Sequence, residues 1–280
     1  MRSLILVLRD PAACGPATLA FCQDVQAEAH DFPSEFFEER LWRVARPAPE
    51  AHKYSRGVVG IRAGSAAYPG AGLLSVAGAS CGLAGMVRYD GDDATLDLVR
   101  ARHPEVVGPG RVQAWVVGSG SDVVAERELR ASLDDDVPVV VDADALAFAD
   151  AAGGLPAVLT PHAGELARML DVARDQVEAR PLHFARRAAE EYDAVVLLKG
   201  RRTVIARPDG RVRVTTTGTP WLATAGAGDV LGGLIGALLQ DVGNDFSAGV
   251  LRAIEEVAHA HRSGVLAASL DNGLEGVVAK

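Results

Sequence analysis

Short apolar runs recur along this chain, each bounded by Gly, Pro or Asp and each followed by a stretch long enough for a helix. Ala114–Val117 (AWVV), Val137–Val141 (VPVVV), Ala157–Leu159 and Ala194–Leu198 (AVVLL) hold no charged or hydrogen-bonding aliphatic side chain. A strand without a polar position has no solvent face, so these runs predict parallel strands covered on both sides. Gly57–Ile61 supplies a further strand. Thr203–Ala206 and Val212–Thr216, joined through Pro208-Asp209-Gly210, predict a hairpin with an Asp-Gly turn. Helices are predicted at Gly70–Leu83, Arg180–Tyr192, Asp229–Gln240 and Ala253–Ser269. The third of these aligns Leu231, Leu234, Ile235 and Leu238 on one stripe. Strands alternating with helices give an α/β fold: a three-layer α/β/α domain around a mostly parallel central sheet. The composition agrees, because 49% of residues are hydrophobic but only 5% aromatic. A core of Ala, Val and Leu lets helices approach a sheet closely.

Residues 1–50 read differently. They carry two cysteines, several Phe and the acids Glu35, Glu38 and Glu39, and they end in Arg46-Pro47-Ala48-Pro49-Glu50, which reads as a linker. The α/β pattern occupies 51–280. A net charge of −9 argues against nucleic acid as a partner. Cys14, Cys22 and Cys81 form no CxxC pair and are odd in number, which fits a reducing compartment. The apolar run at Leu4–Leu8 is too short for a signal core, and no stretch reaches the ~18 apolar residues of a membrane helix. A cytoplasmic protein with no membrane contact is expected.

The densest chemical signal is Thr217-Gly218-Thr219-Pro220-Trp221-Leu222-Ala223-Thr224-Ala225-Gly226-Ala227-Gly228-Asp229. Ala225, Gly226, Ala227 and Gly228 have little or no side chain, so their amides can close on an anion at the positive end of the following helix. Asp229 stands where a phosphoryl group would arrive, and a carboxylate there has a use as the base that takes a proton from an attacking hydroxyl. Alone, the stretch also fits a Gly-rich helix start with Asp229 as a first-turn acid.

Other turns lie at predicted strand ends, where α/β folds bind ligands. In Thr160-Pro161-His162-Ala163-Gly164-Glu165, His162 can donate to a phosphate or amide. Glu165 can hold magnesium through water, or simply begin a helix capped near Thr160. Lys199-Gly200-Arg201-Arg202-Thr203 offers a cation and a close backbone approach, and equally reads as a basic turn. Gly64–Ala71 and Gly118-Ser119-Gly120-Ser121-Asp122 are further Gly-rich turns. Asp142 and Asp144 stand after a strand, where each fits a helix N-cap. His259 and His261 face different sides of a helix and do not suggest a metal.

Taken in order, HKYSRGVVGIRAGSAAYPGA, VVVDADAL, LTPHAGELARML, VLLKGRRTVIARPDG and TGTPWLATAGAGDVLGGLIGALL resemble the ribokinase-like superfamily. Within it, they resemble the ADP- or ATP-dependent NAD(P)H-hydrate dehydratases. The likeness runs from about His52 to Ala268. It implies that Ala71, Gly120, His162 and Asp229 contact the hydrated nicotinamide nucleotide. It also implies that Lys199, Gly200, Arg201, Arg202, Thr203 and Gly228 contact the adenine nucleotide. Pro161–Glu165 is similar to the superfamily's Pro-Asn-x-x-Glu element, with His in place of Asn, which favours a dehydratase over a sugar kinase. The implied cofactors are ADP or ATP with Mg2+, the implied assembly is a homotetramer, and the implied companion is an NAD(P)H-hydrate epimerase. Gly118–Asp122 departs from the family's usual Gly-Pro-Gly-Leu-Gly and adds a charge beside a phosphate site. A small-molecule kinase acting on a hydroxymethyl heterocycle, or a nucleotide-binding relative impaired in catalysis, are the alternatives.

Overall fold

The computed structural model describes residues 48–81, 83–215 and 223–240. The predicted helix at Ala253–Ser269, the first 47 residues of the extension and Thr216–Leu222 lie outside the described residues.

Among the described residues, eight strands form one sheet: β1 (Val58–Arg62), β2 (Met86–Tyr89), β3 (Ala114–Val117), β4 (Val139–Val141), β5 (Ala157–Leu159), β6 (Val195–Leu198), β7 (Thr203–Ala206) and β8 (Val212–Thr215), in the order β2-β1-β3-β4-β5-β6-β7-β8. Strands β1 to β6 are parallel, with Val59 opposite Ala114, Val116 opposite Val140 and Val158 opposite Val195. The predicted hairpin is present, with β7 antiparallel to both β6 and β8.

The apolar runs have no polar position because successive residues feed two separate cores. Val59, Ile61, Val116, Val140 and Leu197 point to one face. There they meet α1 (Pro69–Ala79), α2 (Asp93–Arg102) and α7 (Ala227–Leu239). Trp115, Val117, Val139, Val141, Leu159 and Val196 point to the other. There they meet α3 (Ala125–Leu133), α4 (Ala163–Met169), α5 (Arg174–Ala179), α6 (Pro181–Glu191) and the 3-10 turns of Ala143–Ala152. The result is three layers. Among the described residues, no helix is long and apolar enough to cross a membrane.

The small residues of α1 and α7 have a packing reason. A Cβ on Gly78 would collide with the Val230 carbonyl, and one on Gly233 with the Ser75 carbonyl. The two helices therefore touch backbone to backbone, which draws the start of α7 in over the sheet.

Some boundaries differ from expectation. Helix α1 stops at Ala79 rather than Leu83. Helix α6 starts at Pro181, which suits a first helical position. Helix α7 starts at Ala227, placing Gly228 and Asp229 inside its first turn. Strand β2 and helix α2 lack a sequence signal of the kind used for the rest. Strand β2 is an edge of four residues with alternating burial, and α2 is set by the Asp92 side chain accepting from Thr95 N at 3.0 Å.

The chain adds β2 on one side of β1 and β3 on the other, so its direction of growth reverses there. The turns after β1 and β3 flank the crevice this creates, and Gly64 N donates to Ser119 O across it at 2.7 Å.

Candidate active site

Asp229 occupies the first turn of α7, behind Gly226, whose left-handed φ of 87° makes the sharp turn into the helix. At this end the Ala227 amide is engaged by Thr224 O at 3.3 Å and Val230 N by Gly226 O at 3.2 Å. Among the described residues the amides of Gly228 and Asp229 meet no acceptor, and they are the groups left to meet an anion. Ala225 and Gly226 precede them on the same turn.

Three strand ends converge on this point. Ser119 follows β3, and its hydroxyl lies beside the Asp229 carboxylate, which it favours in the charged form. Asp142 follows β4 and is almost fully buried. Lys199 follows β6, and its Nζ donates to Asp142 Oδ1 at 2.6 Å while lying 3.9 Å from Glu165 Oε2. A Cβ on Gly228 would sit 3.4 Å from Lys199 Nζ and 3.7 Å from Asp142 Oδ2, so the ammonium lies against the free end of α7. Burial pushes the Asp229 carboxyl above the ordinary aspartate range. The Asp142 charge adds to this, while the Ser119 hydroxyl and Lys199 pull the other way.

His162 and Glu165 form a capping box at the start of α4. His162 Nδ1 accepts from Gly164 N at 3.0 Å and Glu165 N at 3.1 Å, and Glu165 Oε2 accepts from His162 N at 2.7 Å. His162, not Thr160, is the cap; the Thr160 hydroxyl donates to Val141 O instead. With Nδ1 accepting, Nε2 of the neutral ring carries the proton, and that side of the half-exposed ring is 3.4 Å from Glu165 Oε1. Lys199 N donates to Pro161 O at 2.7 Å, which extends β6 along the β5 end and fixes Lys199 beside this box.

The structure thus brings Asp229, Gly228, Lys199, Glu165 and His162 together. Ala71 and Gly120 meet one another on the neighbouring turns: a Cβ on Gly120 would lie 2.9 Å from Ala71 Cβ. Gly200, Arg201, Arg202 and Thr203 follow Lys199 into β7, with Arg201 exposed and Thr203 paired with Thr215. Sequence reasoning missed two members, Ser119 and Asp142. Asp142 does not cap the helical turns it precedes, since its side chain makes no capping hydrogen bond and holds Lys199 instead. Asp144 likewise turns away from its own segment and accepts from Asp122 N at 2.9 Å. The apolar strand before Asp142 was the usable signal, because it placed both acids at a sheet end where ligands bind.

Among the described residues, no three Cys, His, Asp or Glu side chains cluster to hold a metal ion. A magnesium ion brought in on nucleotide phosphates would meet Glu165 only through water, since Glu165 Oε2 is already taken by His162 N.

A family model described as NAD(P)H-hydrate dehydratase matches residues 59–270. The chain belongs to that family. It is 46% identical over 214 residues to a bifunctional NAD(P)H-hydrate repair enzyme of Mycobacterium tuberculosis, covering 71% of this chain and 43% of that protein. The chain thus spans less than half the length of that relative. An ADP-dependent (S)-NAD(P)H-hydrate dehydratase of Neisseria meningitidis is 36% identical over 213 residues, covering 69% of this chain and 72% of that one. The ADP/ATP-dependent NAD(P)H-hydrate dehydratase of Bacillus subtilis, co-crystallised with ATP and Mg2+, superposes with a TM-score of 0.71 at 28% identity. That match covers 79% of this chain and 85% of the other. The three-layer domain is accordingly of the ribokinase-like type, and the family is one of hydro-lyases.

Proposed function

We propose that this protein removes water from hydrated NADH or NADPH at the expense of ADP or ATP and so restores the reduced cofactor. The observation that carries the reading is Asp229, a carboxyl raised by burial, set beside free helix-end amides and facing Lys199.

The ring hydroxyl attacks the terminal phosphoryl group of the nucleotide while Asp229 accepts its proton. The bond from phosphorus to the bridging oxygen breaks, leaving AMP from ADP, or ADP from ATP. The ring now bears phosphate, a far better leaving group than hydroxide. The nitrogen lone pair expels it, the C–O bond breaks, and loss of a proton from the adjacent carbon restores the double bond. The Gly228 and Asp229 amides and Lys199 stabilise the negative charge on the transferring group, the main contribution a protein makes to this chemistry. Asp142 holds Lys199 in place. Lys199 to Thr203 and Gly228 serve the adenine nucleotide, and Ala71, Gly120 and His162 the hydrated ring. Magnesium, when bound, neutralises phosphate charge, with Glu165 holding it through water.

We place the whole reaction in residues 51–280, in a cytoplasmic homotetramer working beside a separate NAD(P)H-hydrate epimerase. The test is hydrated NADH with ADP or ATP and magnesium, following the absorbance of the restored dihydronicotinamide. Restoration with release of free phosphate supports the reading. A stable phosphorylated product would instead identify a kinase.

A further inference from the structure

Beside the catalytic centre lies a second cavity of about 430 Å³, between the turns after β1, β2 and β3 and the start of α3. Its size is within the usual range for sites that take small ligands. It contains an anomaly. Glu128 lines it and is only 8% exposed, yet Glu128 Oε2 has no hydrogen-bond partner. Ser121, 1% exposed, lines the same wall; its hydroxyl lies next to the Glu128 carboxyl but short of hydrogen-bond geometry, so neither satisfies the other. A buried polar group left without a partner is costly, more so when it is charged. Burial raises the Glu128 carboxyl above its ordinary range, against a lowering by the Ser121 hydroxyl and by Arg127.

Three of the other charges of the cavity are accounted for. Arg62 stacks on Trp115 at 3.8 Å and gives Nε and Nη2 to Asp90 and Nη1 to Ser132. Asp92 caps α2. Arg127 and Asp122 are the exceptions: both are exposed on the rim with no side-chain hydrogen bond or ion pair among the described residues, and Arg127 lies within electrostatic reach of Glu128. The cavity therefore offers acceptors on its floor and a free guanidinium at its mouth. Hydroxyls satisfy the first, and a planar fork of donors suits a phosphate.

We propose that this cavity is a second subsite, which takes a ribose phosphate with its hydroxyls on Glu128 and Ser121 and its phosphate on Arg127. The inference rests on the dehydratase reading, because a dinucleotide substrate carries such a group away from its reacting ring. The connection to the catalytic base is short. Ser119 lies beside Asp229 and Ser121 lines the cavity, two residues on along one turn, a span of at most about 7 Å. The turn Gly118–Asp122 is thus the saddle between the two sites. Its departure from the family pattern supplies the Ser121 hydroxyl.

The test compares wild type with Arg127→Ala and Glu128→Met, neither of which is in the catalytic machinery. The substrates are hydrated NADH, hydrated NADPH and the hydrated reduced mononucleotide, which has the reacting ring but lacks the distal ribose. Each variant raises KM for the dinucleotides about tenfold with kcat unchanged, and leaves kcat/KM for the mononucleotide unaltered. Equal loss with NADH and NADPH forms puts the bridging pyrophosphate at Arg127. Loss confined to the NADPH form puts the 2′-phosphate there. Unchanged KM for both dinucleotides overturns the subsite, and so does an equal loss with the mononucleotide. If wild type fails to dehydrate any of them, the dehydratase reading falls by itself. Fluorescence titration of NADH and NADPH at saturating ADP then decides the subsite, which fails if Arg127→Ala binds both as wild type does.

Discussion

The Lys199 ammonium meets the Asp142 carboxylate at 2.6 Å across the ends of β6 and β4, two strands with β5 lying between them. The pair is mostly buried, with side-chain exposures of 20% and 3%. A lysine left alone there would swing toward whichever carboxylate was nearest, and Asp229 and Glu165 are both within its field. Asp142 fixes it against the free end of α7, where it serves phosphate rather than neutralising the base.

Asp142→Asn tests this. Losing the Asp142 charge removes one of the influences that raise Asp229 and releases Lys199, which lowers it. Both changes act in the same direction, so the acid limb of the rate profile moves to lower pH. Turnover falls about tenfold or more because the cation is no longer held. A pH profile of kcat/KM for the variant checks the shift. An acid limb that stays in place would show that Asp142 has a purely structural role.

Asp229 gives a prediction about stability as well as rate. Its folded-state pKa is raised, chiefly by burial. The folded protein therefore holds this proton more tightly than the unfolded chain, and the group favours folding below its unfolded pKa. That contribution is lost as pH rises through the raised folded value. Asp229→Asn, which is neutral at every pH, should melt above wild type at pH 7 and converge with it in acid. Its kcat should fall by roughly 10²–10⁴, with ADP binding retained. Thermal melts across pH, with calorimetric titration of ADP, measure both. A variant that melts below wild type at neutral pH contradicts the account.

The strands were legible where burial on both faces left no polar residue, as in Ala114–Val117 and Val195–Leu198. The hairpin was legible in its Asp-Gly turn. Edge strand β2 was not, because four alternating residues, Met86-Val87-Arg88-Tyr89, resemble loop. In the site, Asp229, Glu165 and Lys199 stood out because small residues or strand ends mark them locally. Asp142 did not. Its partner is 57 residues away, and an acid after a strand looks the same in sequence whether it caps a helix or holds a lysine. Ser119 was hidden for the same reason: only the fold brings the turn after β3 to the start of α7.

His162 has two roles that substitution can separate. As N-cap it satisfies two amides, and as an exposed ring it faces the site. His162→Ala should cost about 1 kcal/mol of stability through loss of the cap. His162→Asn keeps an acceptor at the same place and should stay within about 0.5 kcal/mol of wild type. If the ring contacts the hydrated nicotinamide, both variants raise KM for that substrate equally, despite their different stabilities. Urea unfolding and steady-state kinetics on the pair decide it. Full activity in His162→Asn would reduce His162 to a cap.

The last prediction concerns how the catalytic turn is held. Helix α7 reaches Asp229 into the site only because Gly78 and Gly233 let α1 and α7 touch, each lying where a Cβ would strike a carbonyl of the facing helix. Neither obstacle is a flexible side chain end, so the helices themselves must separate. Gly233→Ala should destabilise the fold by about 1–3 kcal/mol, although alanine is the better helix former. The displacement also tilts the first turn of α7 away from Lys199, and kcat falls more than nucleotide affinity does. Gly70→Ala is the control, since Gly70 lies in α1 with nothing near its Cβ position, and it should leave stability and rate unchanged or slightly improved. Equal melting temperatures for Gly233→Ala and wild type would mean that α1 and α7 can part without consequence, and that the site is positioned by the sheet alone.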